Sequence, residues 1–113
     1  MIASIEQFRR QHNVHSSPIW NGLVSMYCKE HCWAMARAGG LYHAPGYFLN
    51  GWAEAVAMMT YQGEEGHNMC ARLIWDVIGT SEDHKQVLLR SNELAYGLII
   101  HHYNFYLTIR GKQ

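Results

Sequence analysis

Apolar residues recur every three or four positions along most of the chain, a spacing that predicts amphipathic helices. The clearest stripe follows Ser17 and Pro18, a pair typical of a helix start because proline lacks the N–H group that has no partner there. Gly39 and Gly40 mark its end. Its members are Trp20, Leu23, Val24, Tyr27, His31, Ala34, Met35 and Ala38. We therefore predict a second helix over residues 18–38, with this stripe facing the core.

Weaker signals predict three more helices around it. A capping-box pattern places a short first helix before Asn13. Asn50 is a favourable cap for a third helix that runs through Tyr61. A fourth helix is predicted to end at Ile78, because Gly79 suits the left-handed conformation that often follows a helix.

The last third of the chain allows two interpretations. After Glu82, a stripe spaced by three and four residues predicts a long C-terminal helix. Its members are Leu88, Ser91, Ala95, Leu98, His102, Phe105 and Ile109. From residue 103 onward, apolar and polar residues also alternate, which is typical of a strand. We predict an all-α fold, a single compact domain over residues 1–113 with four to five helices; the alternative is an α+β fold with a short terminal strand at 103–110.

The composition fits one folded domain and excludes several functional classes. The chain has 113 residues, of which 49% are hydrophobic, so it has enough apolar surface to form a core without disulfides. Nine basic residues balance nine acidic ones. This zero net charge argues against a nucleic-acid ligand, which requires an excess of Lys and Arg. Apolar runs are all shorter than the roughly eighteen residues of a membrane span, so we expect none.

Two features favour the cytoplasm as the location. Residues 1–13 carry Glu6, Arg9 and Arg10 where a signal peptide needs an uninterrupted apolar block. The three cysteines cannot all pair within the chain, and an odd count favours reduced thiols. We therefore expect a cytoplasmic protein.

Cysteine and histidine spacing suggests a metal site as an alternative role. Cys28 and Cys32 are four residues apart on the second predicted helix, and His67 and Cys70 are three apart on the fourth. Each pair shares one helix face, so two crossing helices could present four soft ligands to zinc. The simpler interpretation is that free cysteines fill the core as small hydrophobic residues. We expect no cofactor, with zinc as the alternative.

Motifs for catalysis are weak in this sequence. Glu64 and His67 form the Glu-x-x-His step of di-metal helical bundles, but the chain lacks the second copy that such a site requires. The sequence contains neither a glycine-rich phosphate loop nor a nucleophile turn. We therefore expect a protein that is not an enzyme. A small enzyme is a further alternative, and its sign would be a cavity that gathers His31, His67 and His102.

Aromatic and sulfur-containing side chains give the main functional hypothesis. Four tryptophans, seven tyrosines and six methionines are more than a core of this size needs, and these residue types are enriched at protein interfaces. The residues that we expect to contact a partner are Trp33, Tyr42, Tyr47, Phe48 and Trp52. We predict a non-enzymatic protein-binding module, such as a small inhibitor or adaptor of the kind that phages and plasmids encode. Its partner would be a larger protein or a second copy of this chain.

Overall fold

A mixed sheet with helices on both sides forms the molecule, so the fold is α+β and the prediction of an all-α domain is wrong. A computed structural model of the chain describes residues 1–61, 63 and 66–113, of which 66–68 by their backbone only. The strands β1, β2, β3 and β4 of the described chain span Ile19–Trp20, Trp52–Thr60, Glu93–His101 and Asn104–Lys112. Their spatial order is β1-β3-β4-β2. Strand β1 runs parallel to β3, and the other neighbours are antiparallel.

The α-helices of the described chain are α1 Ile2–Gln11, α2 Gly22–Ala38, α3 Gly66–Arg72 and α4 Glu82–Arg90. Helix α3 continues as a π-helical turn and then a short 3-10 turn, and another 3-10 turn precedes β2; these turns span Leu73–Val77, Ile78–Thr80 and Leu49–Gly51. Helix α2 starts later than predicted, because the side chain of Asn21 accepts a hydrogen bond from the Val24 N–H group and caps it there. None of the helices in the described ranges is long and apolar enough to cross a membrane.

The predicted long C-terminal helix is wrong: α4 is followed by a β-hairpin. Strands β3 and β4 pair over their whole length, and only His102 and Tyr103 lie between them. Both turn residues have positive φ, 48° and 65°, as a tight two-residue hairpin requires. Asparagine and glycine usually occupy such positions, so these two ring-bearing residues conceal the turn in the sequence. The alternative strand at 103–110 corresponds to part of β4 but omits β2 and β3.

The predicted third helix is also wrong, because this segment is strand β2. Its sequence contains three alanines, two methionines and one glutamate, residue types that favour a helix when taken alone. In the fold, all nine of its residues pair with β4. Ala55 and Ala57 belong to the core on one face of the sheet, whereas Val56 packs with the core on the other. Strand pairing and burial on both faces outweigh the intrinsic helix preference.

Two hydrophobic cores lie on opposite faces of the sheet, because alternate residues of a strand point to opposite sides. Helices α1 and α4 and the π-helical turn cover one face. The buried residues there include Ile5, Phe8, Leu73, Ile74, Ile78, Leu88, Leu94, Leu107 and Ile109. Helix α2 covers the other face, where its Cys32 and Met35 pack with Ile99 and Tyr106. The loop that leaves α2 therefore starts on this second side of the sheet.

A buried arginine fastens α1 to the end of α4. The Arg9 side chain is almost fully buried, and its Nη1 donates to the carbonyl oxygens of Leu88 at 2.7 Å and Ser91 at 2.9 Å. Its Nη2 donates to the carbonyl oxygen of Ser16 at 3.2 Å. The last carbonyl groups of a helix have no partner within the helix, so this cation caps the C-terminus of α4. Arg9 thereby helps to hold α4 in place beside β2.

Helix α2 crosses β3 at Gly97 without room for a side chain. A Cβ atom on Gly97 would lie 2.2 Å from the backbone nitrogen of Lys29 and 2.5 Å from the carbonyl carbon of Cys28. Both atoms belong to the helix backbone, which cannot rotate away as a side chain can. Glycine therefore sets the distance between α2 and the sheet.

We expect Gly97→Ala to lower the free energy of unfolding by about 3 kcal/mol, because the added methyl group pushes α2 away from the sheet. Gly22→Ala is the matched control, since Gly22 lies in the first turn of the same helix and has nothing within 4 Å of the added carbon. That variant should keep or slightly raise stability. Urea unfolding followed by circular dichroism measures both. Equal unfolding midpoints for the two variants would contradict the close approach at Gly97.

Candidate functional site

The carboxylate of Glu54 is buried and holds three segments together. Its side chain has 0% exposed surface. Oε1 accepts hydrogen bonds from His43 Nδ1 and from the Ala44 N–H group, each at 2.9 Å, and Oε2 accepts one from Arg110 Nε at 3.0 Å. Arg110 on β4 supplies the positive charge that a buried carboxylate needs. The other two donors belong to the loop after α2, so Glu54 fixes this loop to the sheet.

A second contact fixes the same loop to α2. His31 is buried in that helix, and its Nε2 donates to the carbonyl oxygen of Tyr42 at 2.6 Å. A carbonyl oxygen can only accept, so Nε2 carries the proton. The Tyr42 ring stands edge-on to the imidazole, with 4.9 Å between the ring centroids. We name residues 41–48 the anchored loop, because its backbone is held by α2 on one side and by β2 on the other.

Helix α2 and the anchored loop enclose an open groove of about 680 Å³, which we name the α2 groove. It is lined by Tyr27, Glu30, His31, Trp33, Ala34, Arg37, Ala44, Pro45 and Arg110. Tyr27 is 52% exposed and Trp33 is 38% exposed, although both lie on a helix that covers the core. The groove therefore combines aromatic walls with two guanidinium groups and one carboxylate.

The anchored loop also borders a smaller cavity of about 390 Å³, which we name the Trp52 cavity. It is lined by His43, Tyr47, Phe48, Trp52, Ala53, Glu54, Asp83, His84 and Val87. His43 stacks on Tyr47 with 4.8 Å between ring centroids, and Phe48 stands edge-on to Tyr47 at 5.6 Å. Asp83 and His84 come from the first turn of α4. Two imidazoles, two carboxylates and three aromatic rings therefore share this cavity.

The five predicted partner-binding residues are divided between these two sites. Trp33 lines the α2 groove, and Tyr42 contacts His31 at its wall. The Trp52 cavity is lined by the other three, Tyr47, Phe48 and Trp52. Trp33, Tyr42 and Phe48 are exposed, whereas Tyr47 and Trp52 are half-buried, and the anchored loop separates the two groups. Whether any of the five contacts a partner stays a prediction.

The four residues of the alternative zinc site are not brought together in the described structure. Cys28 and Cys32 lie on the α2 side of the sheet, whereas Cys70 belongs to α3, whose continuation packs on the other side. The side chain of His67 lies outside the described residues, as does Glu64 of the Glu-x-x-His step. Among the residues that are described, no group of three or more side chains could hold a metal ion. Zinc binding stays a prediction that this geometry does not support.

The histidines of the enzyme alternative are not gathered in one described cavity either. His31 lines the α2 groove, and His102 is exposed in the turn between β3 and β4. The histidines that do share a cavity are His43 and His84, which the sequence pattern did not distinguish.

The sequence did contain a signal that Glu54 is a functional or structural residue, because it is a single carboxylate within an apolar run. The predicted helix concealed it, because a helix could turn that carboxylate toward solvent.

Comparison with known proteins shows the fold but no family. Neither a family model nor a curated protein matches this sequence. Among solved structures, an outer surface protein from Borrelia burgdorferi is similar, with a TM-score of 0.71. The match covers 99% of this chain and 89% of that chain at 13% sequence identity. At this level of identity, the similarity concerns the arrangement of helices and strands alone.

Burial makes the two thiols of α2 poor nucleophiles. Desolvation raises the pKa of Cys28 to about 12 and that of Cys32 to about 11. The Cys32 thiol also lies 3.2 Å from the Gly97 carbonyl oxygen, to which it donates, and 3.3 Å from Thr108 Oγ1. In the unfolded chain these thiols ionise at a lower pH than in the fold. Their contribution to stability is therefore complete below a pH of about 9 and declines as the pH rises further.

We expect only Cys70, which is half-buried, to react rapidly with a disulfide reagent such as DTNB in the folded protein at about pH 8. With a pKa of about 12, roughly one Cys28 side chain in ten thousand is a thiolate at that pH. Mass spectrometry should find one label on the folded chain and three after denaturation. Cys70→Ser should remove the label from the folded protein. Rapid labelling of Cys28 or Cys32 before denaturation would contradict their burial.

We expect Glu54→Gln to lower the free energy of unfolding by about 3–5 kcal/mol. The amide group turns donor hydrogens toward either Arg110 or Ala44, and it leaves the arginine without a counter-charge. Glu82→Gln, the same change at an exposed position of α4, is the control and should cost less than about 0.5 kcal/mol. Chemical denaturation measures both. Similar losses for the two variants would show that Glu54 does not anchor the loop.

Proposed function

We propose that this protein is a non-enzymatic protein-binding module whose α2 groove receives side chains of a partner protein. The observation that carries the proposal is the apolar surface of α2 and of the anchored loop with the turn that follows it. The exposed residues are Leu23, Met26, Tyr27 and Trp33 on α2, and Leu41, Tyr42, Phe48 and Leu49 in the loop and turn. Apolar surface concentrated in this way is typical of an interaction site.

The exposed apolar residues of α2 share the outer face of the helix. Leu23 lies three residues before Met26 and four before Tyr27, so these side chains share one face of the helix, opposite the buried Cys32. The predicted inward stripe is therefore wrong for Leu23 and Tyr27. The crossing at Gly97 determines which face of the helix meets the sheet, and it leaves these large side chains on the outside.

The residue types in the α2 groove support the recognition of a protein. Tyrosine, tryptophan and arginine contribute most of the binding energy at many protein interfaces. Tyr27 and Trp33 offer ring surface, while Arg37 and Arg110 offer donors to carboxylate or carbonyl groups of a partner. The Nε atom of Arg110 is fixed by Glu54, so less side-chain entropy is lost when its remaining N–H groups bind.

We also propose the cytoplasm as the location of this protein. All three cysteines are free, which suits a reducing compartment. Because the similar solved structure belongs to an outer surface protein, the location needs its own test. Cell fractionation with an antibody against the protein should recover it with cytoplasmic markers. Recovery at the cell surface would refute this location.

We expect Trp33→Ala to weaken partner binding by about tenfold or more, because it removes a large ring from the wall of the groove. The melting temperature should change little, since Trp33 lies outside both buried cores. Ile100→Ala is the matched control, because Ile100 is also exposed and apolar but does not line the groove.

A partner for this measurement can be obtained by photo-crosslinking in native-cell lysate. A photoreactive phenylalanine analogue replaces Tyr27 in one sample and Ile100 in the other, and mass spectrometry identifies proteins captured only through the first position. Binding of the purified partner is then compared between the wild type, Trp33→Ala and Ile100→Ala. If the captured protein is a second copy of this chain, sedimentation should show a dimer that Trp33→Ala dissociates. Equal affinity of all three proteins for the captured partner would refute the proposal.

A further inference from the structure

We propose that the Trp52 cavity binds a small quaternary ammonium ion. This site lies on the other side of the anchored loop from the α2 groove and needs no protein partner, although Phe48 belongs both to its lining and to the exposed apolar surface of the loop. The rings of Tyr47, Phe48 and Trp52 line it together with the carboxylate of Asp83. Aromatic faces beside a carboxylate recognise a cation that carries apolar surface.

The aromatic rings provide one half of this recognition. The face of an aromatic ring carries partial negative charge and attracts cations. One face of Trp52 already meets a cation of the fold, because Lys112 Nζ lies 5.9 Å from its ring centroid, so Tyr47 and Phe48 supply the other ring surface of the lining. Tyr47 is stacked on His43, which Glu54 holds in place, so the orientation of this ring is set before a ligand arrives.

Asp83 provides the other half, a negative charge at the N-terminal turn of α4. It is exposed in the first turn of α4 and makes no hydrogen bond or ion pair with any residue that the structure describes. The charge of Glu54, the other carboxylate in the lining, is balanced by Arg110. The other titratable groups of this lining are Tyr47, His43 and His84, and Asp83 also borders a neighbouring cavity that Arg90 and Lys112 line.

The three rings of the lining favour a quaternary ammonium over a primary one, because they can pack against its methyl groups. A primary ammonium has three N–H donors, and each needs an acceptor once water is removed. Both oxygens of Glu54 already accept from His43, Ala44 and Arg110. In the described lining, the remaining side-chain acceptors are Asp83, the Tyr47 hydroxyl and any imidazole nitrogen that carries no proton. Methyl groups need no acceptor and can pack against the rings, and a volume of about 390 Å³ is within the range of small-molecule sites.

Choline and its uncharged isostere 3,3-dimethylbutan-1-ol separate the effect of charge from that of shape, because a carbon atom replaces the nitrogen. Each is titrated into the 15N-labelled full chain at about pH 8. The indole N–H signal of Trp52, assigned with Trp52→Phe, reports binding by NMR. We expect a saturable shift with choline in the millimolar range, and binding of the alcohol about tenfold weaker or less.

Two variants test the residues that carry the proposal. Asp83→Asn should weaken choline binding by about fivefold to thirtyfold. Glu82→Gln is the matched control, because this neighbouring carboxylate lies in the same turn of α4 but outside the cavity lining. It should change the affinity by less than about twofold. Tyr47→Leu should weaken binding through the loss of a ring, and the melting temperature of each variant checks its fold.

Equal binding of choline and the alcohol would overturn the proposal, because the cavity would then recognise apolar shape alone. Failure of choline to give a saturable shift at tens of millimolar would overturn it as well. So would an equal effect of Asp83→Asn and Glu82→Gln on choline affinity. None of these results bears on the α2 groove, so the protein-binding function is tested independently by Trp33→Ala.

Discussion

A carboxylate removed from water loses hydration worth several kcal/mol, which a protein must replace with opposite charge and hydrogen bonds. At Glu54 the replacement comes from Arg110 on the neighbouring strand and from His43 and Ala44 in the anchored loop. The carboxylate therefore determines the position of the loop as well as that of its ion-pair partner. Since the α2 groove and the Trp52 cavity both border this loop, the shape of each site depends on the same buried charge.

The helices could be predicted where local chemistry controls them, and the sheet could not. Gly39 has a φ of 74° and ends α2 at the residue that the glycine pair indicated. The pairing of β2 with β4 joins segments far apart in the chain, so the helix preference of alanine and methionine misled the prediction there. His102 and Tyr103 hid the hairpin because they adopt positive φ without being glycine or asparagine. Residue spacing in a single sequence contains no direct information on which strands pair with each other.

The candidate sites were partly predictable for a similar reason. An excess of aromatic residues follows from composition, and Trp33 lies off the predicted apolar stripe, so its exposure could be inferred from the sequence. The grouping of His43 with His84 could not be inferred from the sequence, because it requires α4 to lie beside β2 and the anchored loop. For the same reason, the sequence could not show that Cys28 and Cys70 lie on opposite sides of the sheet. Helical spacing places each residue on a helix face, but only the sheet between the helices shows that these faces point to different sides.

Exposed aromatic side chains usually collapse onto the nearest apolar surface, and two features oppose this collapse here. The space between α2 and the sheet is closed, because Gly97 brings the backbones together and leaves no room for another ring. The anchored loop cannot move inward, because the Tyr42 carbonyl oxygen and the Ala44 N–H group are bonded to His31 and Glu54. Large side chains on this loop and on the outer face of α2 are therefore held at the surface by the polar bonds beneath them, where a ligand can reach them.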